Sequence, residues 1–316
     1  MAVLEPGRVA VNGRILWGAN NIFSVQLEDG SIVEGVRIKG KQLDAAEGEH
    51  NALAPGDRVR LDSAKGSALI AARQDRVNSV RRWNRSRHRP QAMAANVDEM
   101  WLVASAGTPQ YRPDFMDRAL AMAELESLEA VIVVNKADLA LSAEGHEHLE
   151  ILRQLGYPCI LSSAVGAVDR GRAELRSRLE GRSVALVGQS GVGKSSLINT
   201  LVPAARQTTG DVSRRYRRGK HTTTLARQVL VDPRGASTVI DTPGIREFDL
   251  FGYRPDVIAG GFREIARRSE GCRLSDCSHT HEPVCAVRRA VEEGVISTLR
   301  YRSYLRIMEE LQRMTV

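Results

Sequence analysis

The run Gly188-Gln189-Ser190-Gly191-Val192-Gly193-Lys194-Ser195, with Ser196 after it, has the form G-x-x-x-x-G-K-[ST] and could cradle a chain of phosphates. It lies between an apolar run, Val184 to Val187, that suits a buried strand and a segment, Ser195 to Leu201, that suits a helix. In that setting backbone N–H groups wrap the phosphates, and the helix N-terminus adds its positive end. Lys194 would reach the β and γ phosphates, and the Ser195 hydroxyl would ligate Mg²⁺. Farther on, Asp241-Thr242-Pro243-Gly244 follows the apolar run Thr238 to Ile240. Asp241 at a strand end could hold the magnesium through water, and the Gly244 N–H could meet a γ-phosphate.

A second group of residues addresses a base. Asn135-Lys136-Ala137-Asp138 comes directly after the apolar run Ala130 to Val134, and Ser162-Ser163-Ala164 directly after Cys159 to Leu161. An ionised Asp138 can only accept hydrogen bonds, and guanine offers two donors side by side on N1 and N2. Adenine would leave that carboxylate unpaired, so GTP and GDP are favoured over adenine nucleotides. Asn135 could bond the Hoogsteen edge, the Lys136 stem could cover the ring, and the Ser162–Ala164 turn could supply an N–H for the guanine O6. These base motifs precede the phosphate loop, whereas common GTPases run the other way. Reconnection at neighbouring termini allows such an order, which describes a circularly permuted GTPase domain.

The third group is Cys272, Cys277, His279, His281 and Cys285. Three thiolates and one imidazole are the soft ligand set of a closed, tetrahedral Zn²⁺ site, with either histidine able to serve. Cys159 lies within an apolar run and reads as a core residue.

These residues need scaffolds. Residues 7 to 77 alternate apolar and polar, with Asp29-Gly30 and Pro55-Gly56-Asp57 as turns, and predict a small β-barrel of the OB type. Met100 to Ala104, Val131 to Val134, Val184 to Val187 and Thr238 to Ile240 are nearly all apolar, as parallel strands covered on both faces are. A helix is predicted from Met116 to Leu128, with Asp114 able to cap it. Another is predicted after Ser297, with Tyr301, Tyr304, Leu305, Met308 and Leu311 facing inward. The fold class is therefore multidomain α/β: a barrel and basic linker over 1–90, a permuted P-loop GTPase domain over 91–250, and a helical zinc-binding domain over 251–316. Three domains suit a chain of 316 residues.

Composition excludes some classes and favours others. No run of eighteen apolar residues is present and nothing at the N-terminus marks secretion, so a cytoplasmic protein without a membrane partner is expected. The net charge is +7, and Lys occurs only at 39, 41, 65, 136, 194 and 220, so Arg carries most of the 45 basic residues. Seven Arg crowd 73–90 and six crowd 206–227, which suggests a polyanionic partner. Aromatics are only 4% of the chain, so contact with a nucleic-acid backbone is favoured over base stacking.

On these motifs the chain resembles the bacterial ribosome small-subunit-dependent GTPase A family. Besides the segments already given, the resemblance rests on Ala95-Asn96-Val97-Asp98, Thr209-Gly210-Asp211-Val212-Ser213 and Gly219-Lys220-His221-Thr222-Thr223-Thr224. It implies a GTP hydrolase activated by the small ribosomal subunit and its rRNA, acting in late maturation of that subunit as a monomer, with no DNA partner. It also selects His279 over His281 as the fourth zinc ligand. Thr223, or alternatively Thr222, would join Ser195 on magnesium, and residues 206–221 would act as a switch. Ile245 stands where many GTPases carry a water-orienting Gln, so intrinsic hydrolysis should be slow. His221, placed by rRNA, is the candidate for that catalytic task, with a purely RNA-contacting role as its rival. The alternatives are a non-hydrolysing GTP-bound RNA-binding assembly platform and a GTPase acting on another RNA.

Overall fold

A computed structural model describes residues 11–40, 43, 49–64, 67–163, 171–202 and 225–315. Five strands, β1 (Val11–Ala19), β2 (Ile22–Leu27), β3 (Ile32–Ile38), β4 (Arg58–Ala64) and β5 (Ser67–Arg73), close into a barrel in the order β1-β2-β3-β5-β4. Closure removes the unpaired edges, and Ile15, Val25, Val36, Val59, Leu61 and Ile70 fill the interior. The Asp29-Gly30 turn joins β2 to β3: the Asp29 carboxylate accepts from the Ser31 N–H, and Gly30 takes φ +85°.

The second body is a six-stranded sheet. Its strands are β8 (Glu99–Ser105), β9 (Glu129–Asn135), β10 (Cys159–Leu161), β11 (Ser183–Val187), β12 (Arg227–Leu230) and β13 (Thr238–Asp241), in the order β10-β9-β8-β11-β13-β12. All neighbours pair in parallel except the edge strand β12, which runs antiparallel to β13. Alternate residues feed two cores. Met100, Leu102, Ile132, Val134, Ala185 and Val187 face one side; Trp101, Val103, Val131, Val133, Val184 and Leu186 face the other. Helices α1 (Pro113–Leu125) and α2 (Ala143–Gln154) add side chains to the first core, and α3 (Arg172–Leu179) and α4 (Lys194–Leu201) to the second. Asp114 does not cap α1. It lies in the first turn after Pro113, where its charge favours the helix N-terminus, and Arg112 occupies the cap position without a side-chain bond.

The basic stretch beyond the barrel forms a hairpin, β6 (Ser79–Asn84) with β7 (Arg89–Ala95). A 3-10 helix (Pro255–Gly261) leads into α5 (Arg263–Ser269), α6 (Ala286–Glu292) and α7 (Thr298–Thr315). The Ser297 hydroxyl accepts from the Leu299 N–H and so caps α7, as its sequence predicts. Tyr304, Met308 and Leu311 are buried, while Tyr301 and Leu305 pack against the same core half-buried. No helix among the described residues is long and apolar enough to cross a membrane.

Many arginines of the first basic cluster serve as internal ties. Arg76 is almost fully buried and reaches Asp57 at 2.7 Å and Glu49 at 2.5 Å, where the barrel meets the hairpin. Arg73 and Arg81 also face Glu49, and Arg85 forks onto Asp249 and reaches Glu247. Arg76→Ala would leave buried Asp57 without an ion-pair partner and Glu49 with only the longer contacts to Arg73 and Arg81; we expect a stability loss of about 3–5 kcal/mol, read by urea denaturation.

Candidate functional site

β11 ends at Val187, and the chain turns through Gly188–Gly193 into α4. The Lys194 ammonium lies over this loop, donating to the Gly188 carbonyl at 2.8 Å and the Gln189 carbonyl at 3.0 Å. Burial lowers the Lys194 pKa, and Asp241 opposes that shift by attraction. The Ser195 hydroxyl is exposed and lies 3.4 Å from Asp241 Oδ2 at the end of the adjoining β13. A hydroxyl and a carboxylate side by side at strand ends are the oxygen donors that Mg²⁺ takes beside phosphate. Gly244 packs on the same loop: a Cβ there would lie 2.8 Å from the Ser190 nitrogen. Thr242, to which no role is assigned from sequence, donates at 2.6 Å to the Leu186 carbonyl and holds the Asp241–Gly244 turn to β11.

β8 lies between β9 and β11, so the loops after Asn135 and Val187 open on the same edge about 10 Å apart. Side chains bridge that distance. Asn135 Nδ2 donates at 2.9 Å to the Val192 carbonyl, and Lys136 Nζ donates at 2.8 Å to the Gly191 carbonyl and also to the Thr108 carbonyl. The fit is close enough that a Cβ on Gly193, where φ is +98°, would overlap the Asn135 amide. Asp138 is exposed beside these contacts, and its carboxylate accepts from the Ser163 hydroxyl at 2.6 Å. That bond, with smaller help from its own backbone and from Lys136, holds its pKa below the ordinary value. The Ala137 N–H donates to the Ser162 carbonyl at 3.0 Å, which joins the two base motifs. Asn135, Lys136, Asp138, Ser162 and Ser163 thus gather beside Gly188, Gln189, Ser190, Gly191, Val192, Gly193, Lys194, Ser195 and Ser196. Ala164, His221, Thr222 and Thr223 lie outside the described residues. Ile245 is buried in the core, its N–H bonded to the Gly188 carbonyl, so its side chain cannot reach water at the loop. The Thr108 carbonyl carries no sequence signal, because any residue supplies one.

The cysteine cluster is a separate centre. Cys272, Cys277, His279 and Cys285 bring their ligand atoms within 4.8 Å of one another. Cys272 Sγ is 3.8 Å from Cys285 Sγ, and each of these sulfurs is 3.5 Å from His279 Nδ1. A tetrahedron with Zn–S near 2.3 Å and Zn–N near 2.0–2.1 Å needs edges of about 3.8 and about 3.5 Å, so the donor set fits Zn²⁺. His281 points elsewhere, with Nδ1 2.9 Å from the Thr280 hydroxyl. Burial alone would raise the Glu282 pKa, but bonds from the Ser278 hydroxyl and neighbouring N–H groups hold it at about 2, so a carboxylate braces the ligand loop. Cys159 stands apart, half-buried, and burial pushes its thiol up to about 11.

Comparison with known proteins agrees with this geometry. The sequence model of the RsgA GTPase family matches residues 73–251. The chain is 36% identical over 301 residues to the small ribosomal subunit biogenesis GTPase RsgA of Borreliella burgdorferi, covering 94% of this chain and 95% of that one. It is 36% identical over 305 residues to the protein of the same name from Bacteroides fragilis, covering 95% and 97%. Among solved structures, YjeQ from Thermotoga maritima superposes with a TM-score of 0.72 at 29% identity, covering 96% of this chain and 99% of that one. The circularly permuted GTPase YloQ shares the fold, with a TM-score of 0.69 at 23% identity over 99% of each chain.

Two outcomes follow from the geometry. Gly193→Ala should weaken binding of a fluescent guanine nucleotide by about tenfold or more, since the left-handed backbone alone costs a side chain about 1–3 kcal/mol. Atomic absorption should find about one zinc per chain in the parent protein, and Cys285→Ser should abolish it and lower the melting temperature.

Proposed function

This chain belongs to the RsgA GTPase family, and from that premise we propose that it hydrolyses GTP to GDP and phosphate on the small ribosomal subunit. Subunit rRNA is proposed to activate it, late in the maturation of that subunit, with the protein acting in the cytoplasm as a single chain. The observation that carries the nucleotide reading is the junction of the Asn135–Asp138 loop with the Gly191–Gly193 backbone. It supports a reading in which Asp138 and Lys194 serve one bound nucleotide despite their reversed order in sequence. The names of the relatives support the ribosomal reading.

Site roles follow from the donors. Asp138 accepts the paired N–H groups of guanine, Lys136 covers the ring, and Asn135 holds the phosphate loop against the base loop. Gly188–Gly193 N–H groups and Lys194 take the phosphates, with the ammonium turning from loop carbonyls to phosphate oxygens. Ser195, and Asp241 through water, would hold Mg²⁺, with Thr223 as a further ligand. When bound, the ion neutralises charge developing on the β and γ oxygens. Residues 206–221 are the proposed switch and His221 the proposed water-orienting group, the place after Gly244 being filled by a buried isoleucine. We assign 1–90 to RNA contact, 91–250 to nucleotide chemistry and 251–316 to a zinc-braced helical domain. In the first basic cluster Arg87 and Arg89 are candidates for phosphodiester contact, since both are exposed and their side chains form no ion pair among the described residues.

Four measurements test this reading. Phosphate release should be slow alone and rise at least tenfold with small subunits; equal rates would exclude an activated hydrolase. His221→Ala should retain nucleotide affinity but lose most of the stimulated rate. Asp138→Asn replaces an acceptor edge with a donor and should shift preference from GTP toward xanthosine triphosphate. Because the Asp138 pKa is lowered, guanine affinity should stay flat down to about pH 5 and fall only as the carboxylate protonates below its ordinary range.

A further inference from the structure

We propose that Arg300, Asp117, His148 and Tyr111 are positioning residues through which helix α7 sets the backbone under the guanine loop, linking zinc binding to guanine-nucleotide binding. The inference rests on the guanine reading of Asn135–Asp138 and adds a route to it. Arg300 is wholly buried. Its Nη1 donates at 2.6 Å to Asp117 Oδ1 on α1, and its Nε at 2.7 Å to Glu264 on α5. The guanidinium also lies 4.6 Å from the Phe262 ring centroid. Cohesion alone does not call for charge here, because apolar residues of similar volume often stabilise as well or better. What the charge adds is direction: one donor fork fixes α1 and α5 relative to α7.

From Asp117 the chain of bonds runs toward the nucleotide site. Its Oδ1 is 2.8 Å from His148 Nε2 on α2, and His148 Nδ1 is 2.9 Å from the Tyr111 hydroxyl. A carboxylate only accepts, so Nε2 carries the proton toward Asp117 and Nδ1 is left to accept from the phenol. Tyr111 ends the short loop that joins β8 to α1. Three residues earlier in that loop the Thr108 carbonyl receives Lys136 Nζ and lies 3.3 Å from the Ser105 hydroxyl. The next residue, Pro109, comes within 3.7 Å of a Cβ built on Gly191. This loop is therefore the common floor of the base and phosphate loops, and Tyr111 pins one end of it.

The other end of the route is the ligand loop. The residue after Arg300 donates from its phenol to the His279 carbonyl at 2.7 Å, and Tyr304 donates to the Ser278 carbonyl at 2.8 Å. A single turn of α7 thus bonds the loop that carries a zinc-ligating histidine and, through Arg300 and Asp117, the histidine of α2 that bonds Tyr111. Metal that orders His279 favours one seating of this turn, and by linkage the nucleotide must favour the metal equally.

The test uses the full chain loaded with zinc and a fluorescent GDP, reading GDP release, zinc content and far-ultraviolet circular dichroism together. Tyr111→Phe, and separately the pair Tyr301→Phe with Tyr304→Phe, should speed GDP release by about threefold or more, without loss of zinc or helix. Combining the two sets should give less than the product of the separate effects, because both break one route. Saturating GDP should also slow transfer of zinc from the parent protein to a colorimetric chelator. Wild-type release rates in both variants, or zinc transfer indifferent to GDP, would overturn the proposal. Arg300→Lys keeps charge without the fork and should act in the same direction; if it fails to fold, the tyrosine variants and the zinc transfer decide. A parent protein with no preference for GDP over ADP would instead remove the guanine reading, and the route with it.

Discussion

Parallel strands leave their C-terminal ends on one edge, and everything catalytic here depends on which strands are neighbours there. With β8 between β9 and β11, the base loop and the phosphate loop stand about 10 Å apart, a span that side chains can bridge and backbones cannot. Asn135 and Lys136 bridge it by donating to the carbonyls of Val192 and Gly191, so two carbonyls of the loop are occupied within the protein. The preference for glycine at 193 has the same origin: the bridge leaves no room for a Cβ. Connectivity does not enter this geometry, so the chain can reach β11 after β9 and β10 without disturbing it.

Much of this was legible because it is written in residue types with few substitutes. An alternating pattern read the barrel, apolar runs read five of the six sheet strands, and a set of three thiols and an imidazole read the metal centre. The choice between His279 and His281 was not open to spacing alone; backbone direction decides it, since His279 turns inward at φ +57° while His281 bonds the Thr280 hydroxyl. Strand β12 was not legible, because Arg227 and Gln228 break the apolar run that marks a buried strand, and the edge position tolerates them. The carbonyl of Thr108 and the Tyr111–His148–Asp117–Arg300 chain left no mark at all. Their partners are far apart in sequence, and such contacts exist only once the helices are packed.

The basic residues show how composition can mislead about place. A run of seven arginines over 73–90 suggests an open cationic surface. In the fold Arg76 is buried between Asp57 and Glu49, Arg81 faces Glu49 and Glu126, and Arg82 bonds Gln91. Guanidinium suits these tasks because one planar fork can satisfy two acceptors at once, which an ammonium on a flexible stem does poorly. A high arginine content thus serves internal architecture first, and the surface charge left for a partner is smaller than the count.

The same logic applies to the segment beyond Gly244. Ile245 and Phe248 are buried, Phe248 meeting Phe115 edge-on, so this stretch is anchored to α1 by packing. Arg85 at the hairpin tip then grips Asp249 with two bonds, at 2.7 and 2.9 Å, and Trp83 lies edge-on to Phe251. Two independent bodies therefore hold the chain just downstream of the Asp241–Gly244 turn. Interfaces packed on both sides shift as units rather than deform gradually, so this segment is held as one block with α1 and the hairpin. The C-terminal helices start immediately after this segment, and three sets of side chains tie them to α1: Arg300 with Asp117, Arg118 with Glu310, and Arg263 with Glu124. The contact with α1, rather than the connecting chain alone, therefore fixes where the C-terminal helices sit against the sheet.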